Sequence, residues 1–203
     1  MILKHITAIL KFVKLILRLN SKYDIYKQIL NKRVTGPSGK PAPWYVFAAT
    51  SQLENMDFND KSVLEYGSGS STLWWAGRCK SICSIENSKE WYNLVQKKIS
   101  TENISYHLFE DKVAYCDSID PLQFDVVVID GRWREEIFKK ILSQNSPVIP
   151  FIIIDNAERF PSDIASLKKL GYAEYIYYGF GPINTYEWQT SILVKNQIES
   201  VGS

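Results

Sequence analysis

Two glycines and a handful of acids, each placed at the end of an apolar run, are the residues of this sequence best suited to chemistry. Ser62–Tyr66 (SVLEY) runs directly into Gly67-Ser68-Gly69-Ser70-Ser71. Glycine has no Cβ, so backbone at 67 and 69 can turn tightly and come close to a ligand. Glu65 precedes the first glycine by two residues. A carboxylate there repels a pyrophosphate and suits a ligand that carries an ammonium group. Glu86 closes the run Ser81–Glu86 (SICSIE), nineteen residues after Gly67. An acid in that position can accept hydrogen bonds from both hydroxyls of a ribose. A dinucleotide fingerprint wants Gly or Ala at position 72, where Thr72 stands, and this weakens an NAD reading.

A second group of polar residues follows two further apolar runs. Asp130 ends Phe124–Asp130 (FDVVVID), and Asp155-Asn156 ends the run that begins at Pro150 (PFIIID). Neighbouring parallel strands lie about 4.8 Å apart, close enough for these three side chains to converge at one edge. Two carboxylates and an amide oxygen are hard ligands suited to Mg²⁺ or Ca²⁺. Without a metal, Asp130 or Asp155 can act as a general base, and Asp155-Asn156 can simply cap the turn that follows. Arg132 and Arg134 stand beside the same edge, where they can bind an anionic substrate or lie solvated on the surface. Gly179, Gly181 and Pro182 shape a later loop, from which Asn184, Tyr186 and Glu187 are expected to overhang the site.

The elements that must position these residues alternate in type. Strands are expected at 62–66, 81–86, 104–109, 124–130 and 150–155, with helices starting near Thr72 and spanning 88–99 and about 134–142. The near-continuous apolar character of the fourth and fifth runs is that of strands buried on both faces. The alternation implies a parallel sheet with helices on both sides, whose ligands sit beyond the carboxyl ends of the strands. Tyr172–Tyr178 and Trp188–Lys195 can form two last strands.

LEYGSGSST with Glu86 behind it resembles the class I S-adenosylmethionine-dependent methyltransferases, over about residues 43–195. The resemblance implies a Rossmann-like, doubly wound α/β sheet of seven strands with the last antiparallel. It also implies cofactor contacts from Glu65, Gly67, Ser68, Gly69, Ser71, Glu86, Asn87 and Asp130, with Asp111 of the Glu110-Asp111 pair near adenine. Asp130 with Asp155-Asn156 resembles the metal site of the catechol and caffeoyl-coenzyme A O-methyltransferases, in which the metal holds a substrate oxygen and lowers its pKa. The closing WQTSILVK run and the Pro43-Trp44 start are similar to bacterial methyltransferase-like proteins. The expected activity is therefore methyl transfer from S-adenosylmethionine to an oxygen of a small-molecule or glycan acceptor. Asp130 and Asp155 are its catalytic candidates, and Arg132, Arg134, Asn184 and Tyr186 its substrate contacts. N-methylation is the close variant, but IDGRWR stands where an NPPY-like motif would be expected. A non-catalytic binding module and an NAD or sugar-nucleotide enzyme are the alternatives.

Charge and composition limit the remaining possibilities. The chain of 203 residues has a net charge of +2, with 45% hydrophobic and 23% charged residues, as in an ordinary globular protein. Nine Lys/Arg and one acid fall in residues 1–40, leaving the rest net negative. That argues against a broad nucleic-acid surface on the main domain. Three cysteines (Cys79, Cys83, Cys116) without a CxxC indicate buried thiols rather than a disulfide framework or zinc site.

Residues 1–33 form a basic amphipathic helical segment, 34–43 (VTGPSGKPAP) a linker, and 44–203 the catalytic domain. On a helical wheel Lys4, Thr7, Lys11, Lys14 and Arg18 gather opposite Ile2, Ile6, Ile9, Leu10, Val13, Ile16 and Leu17. The charges interrupt every apolar run short of the roughly 20 residues of a membrane span. They also break up the core of a secretory signal, so the expected location is cytoplasmic. Three readings of this helix stay open: it lies on an anionic membrane surface, it packs on its own domain or a partner, or it is a cleaved transit peptide.

Overall fold

The computed structural model describes residues 2–32, 34–36, 39–144 and 147–196. At its centre is one seven-stranded sheet in the order β3-β2-β1-β4-β5-β7-β6. The strands are β1 (Ser62–Tyr66), β2 (Ser81–Glu86), β3 (Ile104–Leu108), β4 (Val126–Ile129), β5 (Phe151–Asp155), β6 (Tyr172–Gly179) and β7 (Trp188–Lys195). β1 to β5 are parallel, and β7 runs antiparallel between β5 and β6. This is the expected Rossmann-like architecture with its last strand reversed.

Side chains alternate across the sheet, which is why so few residues of β4 and β5 are polar. Val126, Val128 and Ile153 face one layer, together with α3 (Phe47–Glu54) and α4 (Ser70–Ala76). Val127, Ile129, Ile152 and Ile154 face the other, packed on α6 (Lys112–Asp117), α7 (Arg134–Leu142) and α8 (Pro161–Lys169). α5 (Lys89–Gln96) covers β2 and β3. Trp74 and Trp75 are core residues, and the three cysteines are free and buried.

The chain order places β1 and β4 side by side, although β1 leads to β2 on one side and β4 to β5 on the other. Such a switch point opens a crevice beyond the strand ends. Here the two loops touch through bare backbone. Gly67 has φ +95°, and a Cβ on it would stand 2.5 Å from Gly131 Cα. A Cβ on Gly131 would meet Tyr115 Oη at 2.0 Å and Gly67 N at 2.8 Å. Gly69 differs: its φ of 168° is extended backbone, and a Cβ there would meet nothing nearer than the Trp91 ring at 3.8 Å.

The N-terminal segment is two helices rather than one, α1 (Ile2–Tyr23) and α2 (Ile25–Asn31), broken at Asp24 with φ 53°. Every side chain from Leu3 to Leu19 is exposed. Of the readings left open for α1, packing along its own domain is therefore not what the structure shows. Only its foot is attached, where Tyr23 stacks on Phe47 with ring centroids 4.0 Å apart. Pro37 and Ser38 of the expected linker lie outside the described residues. Its flanks pair Thr35 with Pro41, and the Ala42 N–H donates to Ser70 Oγ at 3.1 Å.

The two loop glycines should respond differently to alanine. Gly67→Ala combines a left-handed φ with a backbone clash and should cost about 2–4 kcal/mol. Gly69→Ala should stay within about 1 kcal/mol. Urea unfolding of the two variants checks this difference.

Candidate functional site

The glycine loop rests on a buried carboxylate. Glu65 is fully buried, and its Oε2 accepts from the hydroxyls of Thr72 and Ser84, both at 2.6 Å. Thr72 Oγ1 in turn accepts from the Gly69 N–H at 3.0 Å, so the residue that spoils the dinucleotide pattern locks the loop to β1 and β2. Burial pushes the Glu65 carboxyl up to about 7. Its Oε1 has no partner among the described residues. Glu65 thus lies under the loop, and its expected contact with a ligand ammonium is corrected to a supporting role because no part of it reaches solvent.

Glu86 ends β2 with both oxygens engaged. Oε2 accepts from the Ser68 hydroxyl at 2.7 Å and the Ser68 N–H at 3.2 Å. Oε1 accepts from the N–H groups of Asn87 and Ser88, at 2.9 and 2.8 Å. Ser68 Oγ also meets Tyr106 Oη at 2.7 Å, and the Trp91 indole N–H donates to the Ser68 carbonyl at 2.7 Å. The loop is folded down on the acid, and a serine hydroxyl stands where a ribose hydroxyl is expected. Ser71 is buried near the start of α4. Asp111 is exposed and serves as the N-cap of α6, its Oδ1 accepting from the N–H groups of Val113 and Ala114.

The second half of the site lies beyond β4, β5 and β7, around an open cleft of about 220 Å³. Asp130, Asp155, Asn156, Asn184 and Tyr186 all line it, so five residues named from sequence meet on one cavity. Trp44, Arg159 and Trp188 complete the wall, and nothing in their spacing singled them out as site residues. The antiparallel register explains how Asp155 is held, since Asp155 pairs with Thr190. Thr190 Oγ1 donates to Asp155 Oδ1 at 2.6 Å and accepts from the Val46 N–H at 3.2 Å. Trp188 Nε1 donates to the same oxygen at 2.9 Å. Aligning FIIID against WQTSILVK in reverse was the one sequence signal that could have found this pair.

Arg134 is not free to bind substrate, which corrects one expected role. Its Nε donates to the Gly131 carbonyl at 2.8 Å, and its terminal nitrogens donate to the carbonyls of Asp130 and Asp155. Nη2 also pairs with Asp130 Oδ1 at 3.0 Å. The guanidinium clamps the ends of β4 and β5. Arg132 is exposed, with its guanidinium 5.8 Å from the Trp133 ring centroid, and the cavity wall carries Arg159 instead.

These contacts also decide the metal expectation. Asp130, Asp155 and Asn156 do share the cavity, but Arg134 already provides a cation to Asp130, and Asp155 Oδ1 accepts from two protein donors. Burial raises both carboxyls, Asp155 to about 6, and their mutual repulsion adds to the rise of Asp130. Among the described residues no group of three His, Cys, Asp or Glu is placed to hold a metal. The donor set does not fit Mg²⁺ or Ca²⁺.

No family model matches the sequence, and no curated protein matches it significantly. Solved structures do match. The precorrin-8W decarboxylase of Methanobacterium thermoautotrophicum aligns with TM-score 0.55 at 17% identity, over 82% of this chain and 97% of that one. The precorrin-6y C5,15-methyltransferase of Geobacter metallireducens aligns with TM-score 0.54 at 15% identity, over 73% and 86%. A methyltransferase-like protein of Silicibacter pomeroyi aligns with TM-score 0.51 at 17% identity, over 78% and 90%. The chain is an α/β protein with the Rossmann-like fold of these structures. At such identities the likeness is one of fold.

The buried acid sets a pH dependence of stability. Glu65 binds its proton more tightly folded than unfolded, so the folded state is favoured below the usual carboxylate pKa, and that advantage is lost as pH rises to about 7. The melting temperature should fall between pH 5 and pH 8, and Glu65→Gln should flatten the fall. Thermal unfolding followed by circular dichroism at both pH values measures it.

Proposed function

We propose that this protein transfers a methyl group from S-adenosylmethionine to an oxygen of a small-molecule or glycan acceptor. The observation that carries the reading is Asp155: a buried carboxyl raised to about 6, on the wall of a cleft that it shares with Asp130, in a fold shared with solved methyltransferases. The cradle fits the cofactor in chemistry. Bare backbone at Gly67 and Gly131 lets the two loops meet beside the strand ends, and Glu86 already accepts from a hydroxyl. Ser68, Gly69, Ser71, Glu86, Asn87 and Asp130 would hold the cofactor, with Asp111 at the far end. When bound, the cofactor supplies a methyl group activated by its sulfonium.

The chain's own residues then position the acceptor and manage one proton. Asp155 takes the proton of the acceptor hydroxyl, and a base with a pKa near 6 is mostly ionised at neutral pH while still basic enough to act. Thr190 and Trp188 fix the carboxyl through Oδ1. Arg134 limits the repulsion between Asp130 and Asp155. Trp44 and Tyr186 flank the cavity. Asn184 and Arg159 offer an amide and a cation, so a hydroxylated acceptor with an anionic group suits the wall.

Calorimetry with S-adenosylhomocysteine and a labelled-methyl screen of glycans, lipid-linked sugars and phenols test the reading. Glu86→Ala should weaken S-adenosylhomocysteine binding by about 1.5–3 kcal/mol, the range for hydrogen bonds to a charged group. Asp155→Asn should leave that binding intact and lower turnover by about 10²–10⁴-fold. Wild-type turnover should rise with pH through about 6 as Asp155 loses its proton, and should survive EDTA. Binding without turnover on any acceptor would leave a binding module. Absence of binding would return the NAD or sugar-nucleotide alternatives.

A further inference from the structure

α1 is the one element that the catalytic reading leaves without a task. Its 22 residues span about 33 Å, and among the described residues no helix is long and apolar enough to cross a membrane. Leu3, Ile6, Ile9, Leu10, Phe12, Val13, Leu15, Ile16, Leu17 and Leu19 are all at least 42% exposed. At 100° per residue they fill an arc of about 240°, broken only by His5 and, near the end, Asn20. Lys4, Lys11, Lys14, Arg18 and Lys22 occupy most of the remainder, within about 80°. A lone helix of this length is marginal in water, and so much apolar surface does not stay uncovered.

We propose that α1 lies in the plane of an anionic membrane surface and attaches the protein to it. Two features favour lipid over a second copy of the chain. A two-helix seam uses a narrow stripe, and pairing two copies would leave most of a 240° arc in water. In addition, α1 contains no acid, so its basic face, turned away from any such seam, would find no anion on a partner helix. An interface parallel to the helix axis covers the broad arc and meets the basic face with lipid headgroups. The rest of the chain is net negative, so the attraction resides in this segment.

The foot of α1 links attachment to the cavity. Tyr23 stacks on Phe47, whose N–H donates to the Phe180 carbonyl at 2.9 Å. Phe180 begins the loop that carries Asn184 and Tyr186 to the cavity, and both aromatic residues are more than half exposed.

Co-sedimentation of the full chain with phosphatidylcholine vesicles, with and without phosphatidylglycerol, tests attachment independently of catalysis. The protein should pellet with the anionic vesicles at low salt and be released as salt rises. Lys11→Gln/Lys14→Gln should lower partitioning about 25-fold, roughly fivefold for each charge removed. Ile9→Glu/Ile16→Glu should abolish pelleting while the thermal unfolding of the domain is unchanged. The proposal is overturned if the wild type stays in the supernatant with anionic vesicles at low salt, or if the Ile9→Glu/Ile16→Glu protein pellets as well as the wild type. It is equally overturned if sedimentation velocity shows a dimer that this double substitution dissolves while vesicles bind neither protein.

Discussion

The site depends on one guanidinium. Parallel strands end with carbonyl oxygens that lack sheet partners, and β4 and β5 end side by side, β4 followed by Asp130 and β5 closing on Asp155. Arg134 reaches back from the first turn of α7 to the carbonyls of Asp130, Gly131 and Asp155 and to the Asp130 carboxylate. Buried backbone acceptors without partners are costly, and two neighbouring carboxylates repel. A single planar cation with five donors answers both problems. Arg134 stands behind both acids of the cavity, while Thr190 and Trp188 hold Asp155 from the other side.

A second constraint is the order of the strands. Inserting β7 between β5 and β6 delivers Thr190 and Trp188 to Asp155 from 35 and 33 residues away. The loop that precedes β7 must then cross the top of the cavity, and it is packed tightly there: a Cβ on Gly181 would meet the Trp188 ring at 2.3 Å. The acid, the donors that aim it and the overhanging loop are therefore products of one topological choice.

The strands and the glycine loop were legible because they are local. VVVI and FIII are apolar throughout, as burial on both faces requires, and the turn after Tyr66 needs a residue tolerant of positive φ. The carboxylates at the strand ends were legible as a group for the same reason. What escaped was set by tertiary contact. Arg134 looks like a surface cation until its fork is seen against three carbonyls. Asp111 looks like a ligand contact until it caps α6. The short helices α3, α6 and α8 carry little periodicity of their own. The amphipathic pattern of α1 was plain, but whether its apolar face had a partner was a matter of tertiary contact.

The closure of Ser68 on Glu86 has a consequence for ligand recognition. The free protein carries its own occupant of the acceptor site, tethered two residues beyond the end of β1 and so present at high effective concentration. Any incoming hydroxyl exchanges with one already in place, and a single such exchange gains little. Under the proposed function, a ligand with two adjacent hydroxyls would displace the serine from Oε2 and share Oε1 with the Asn87 and Ser88 N–H groups. Its apparent affinity is reduced by the fraction of molecules in which the loop is shut.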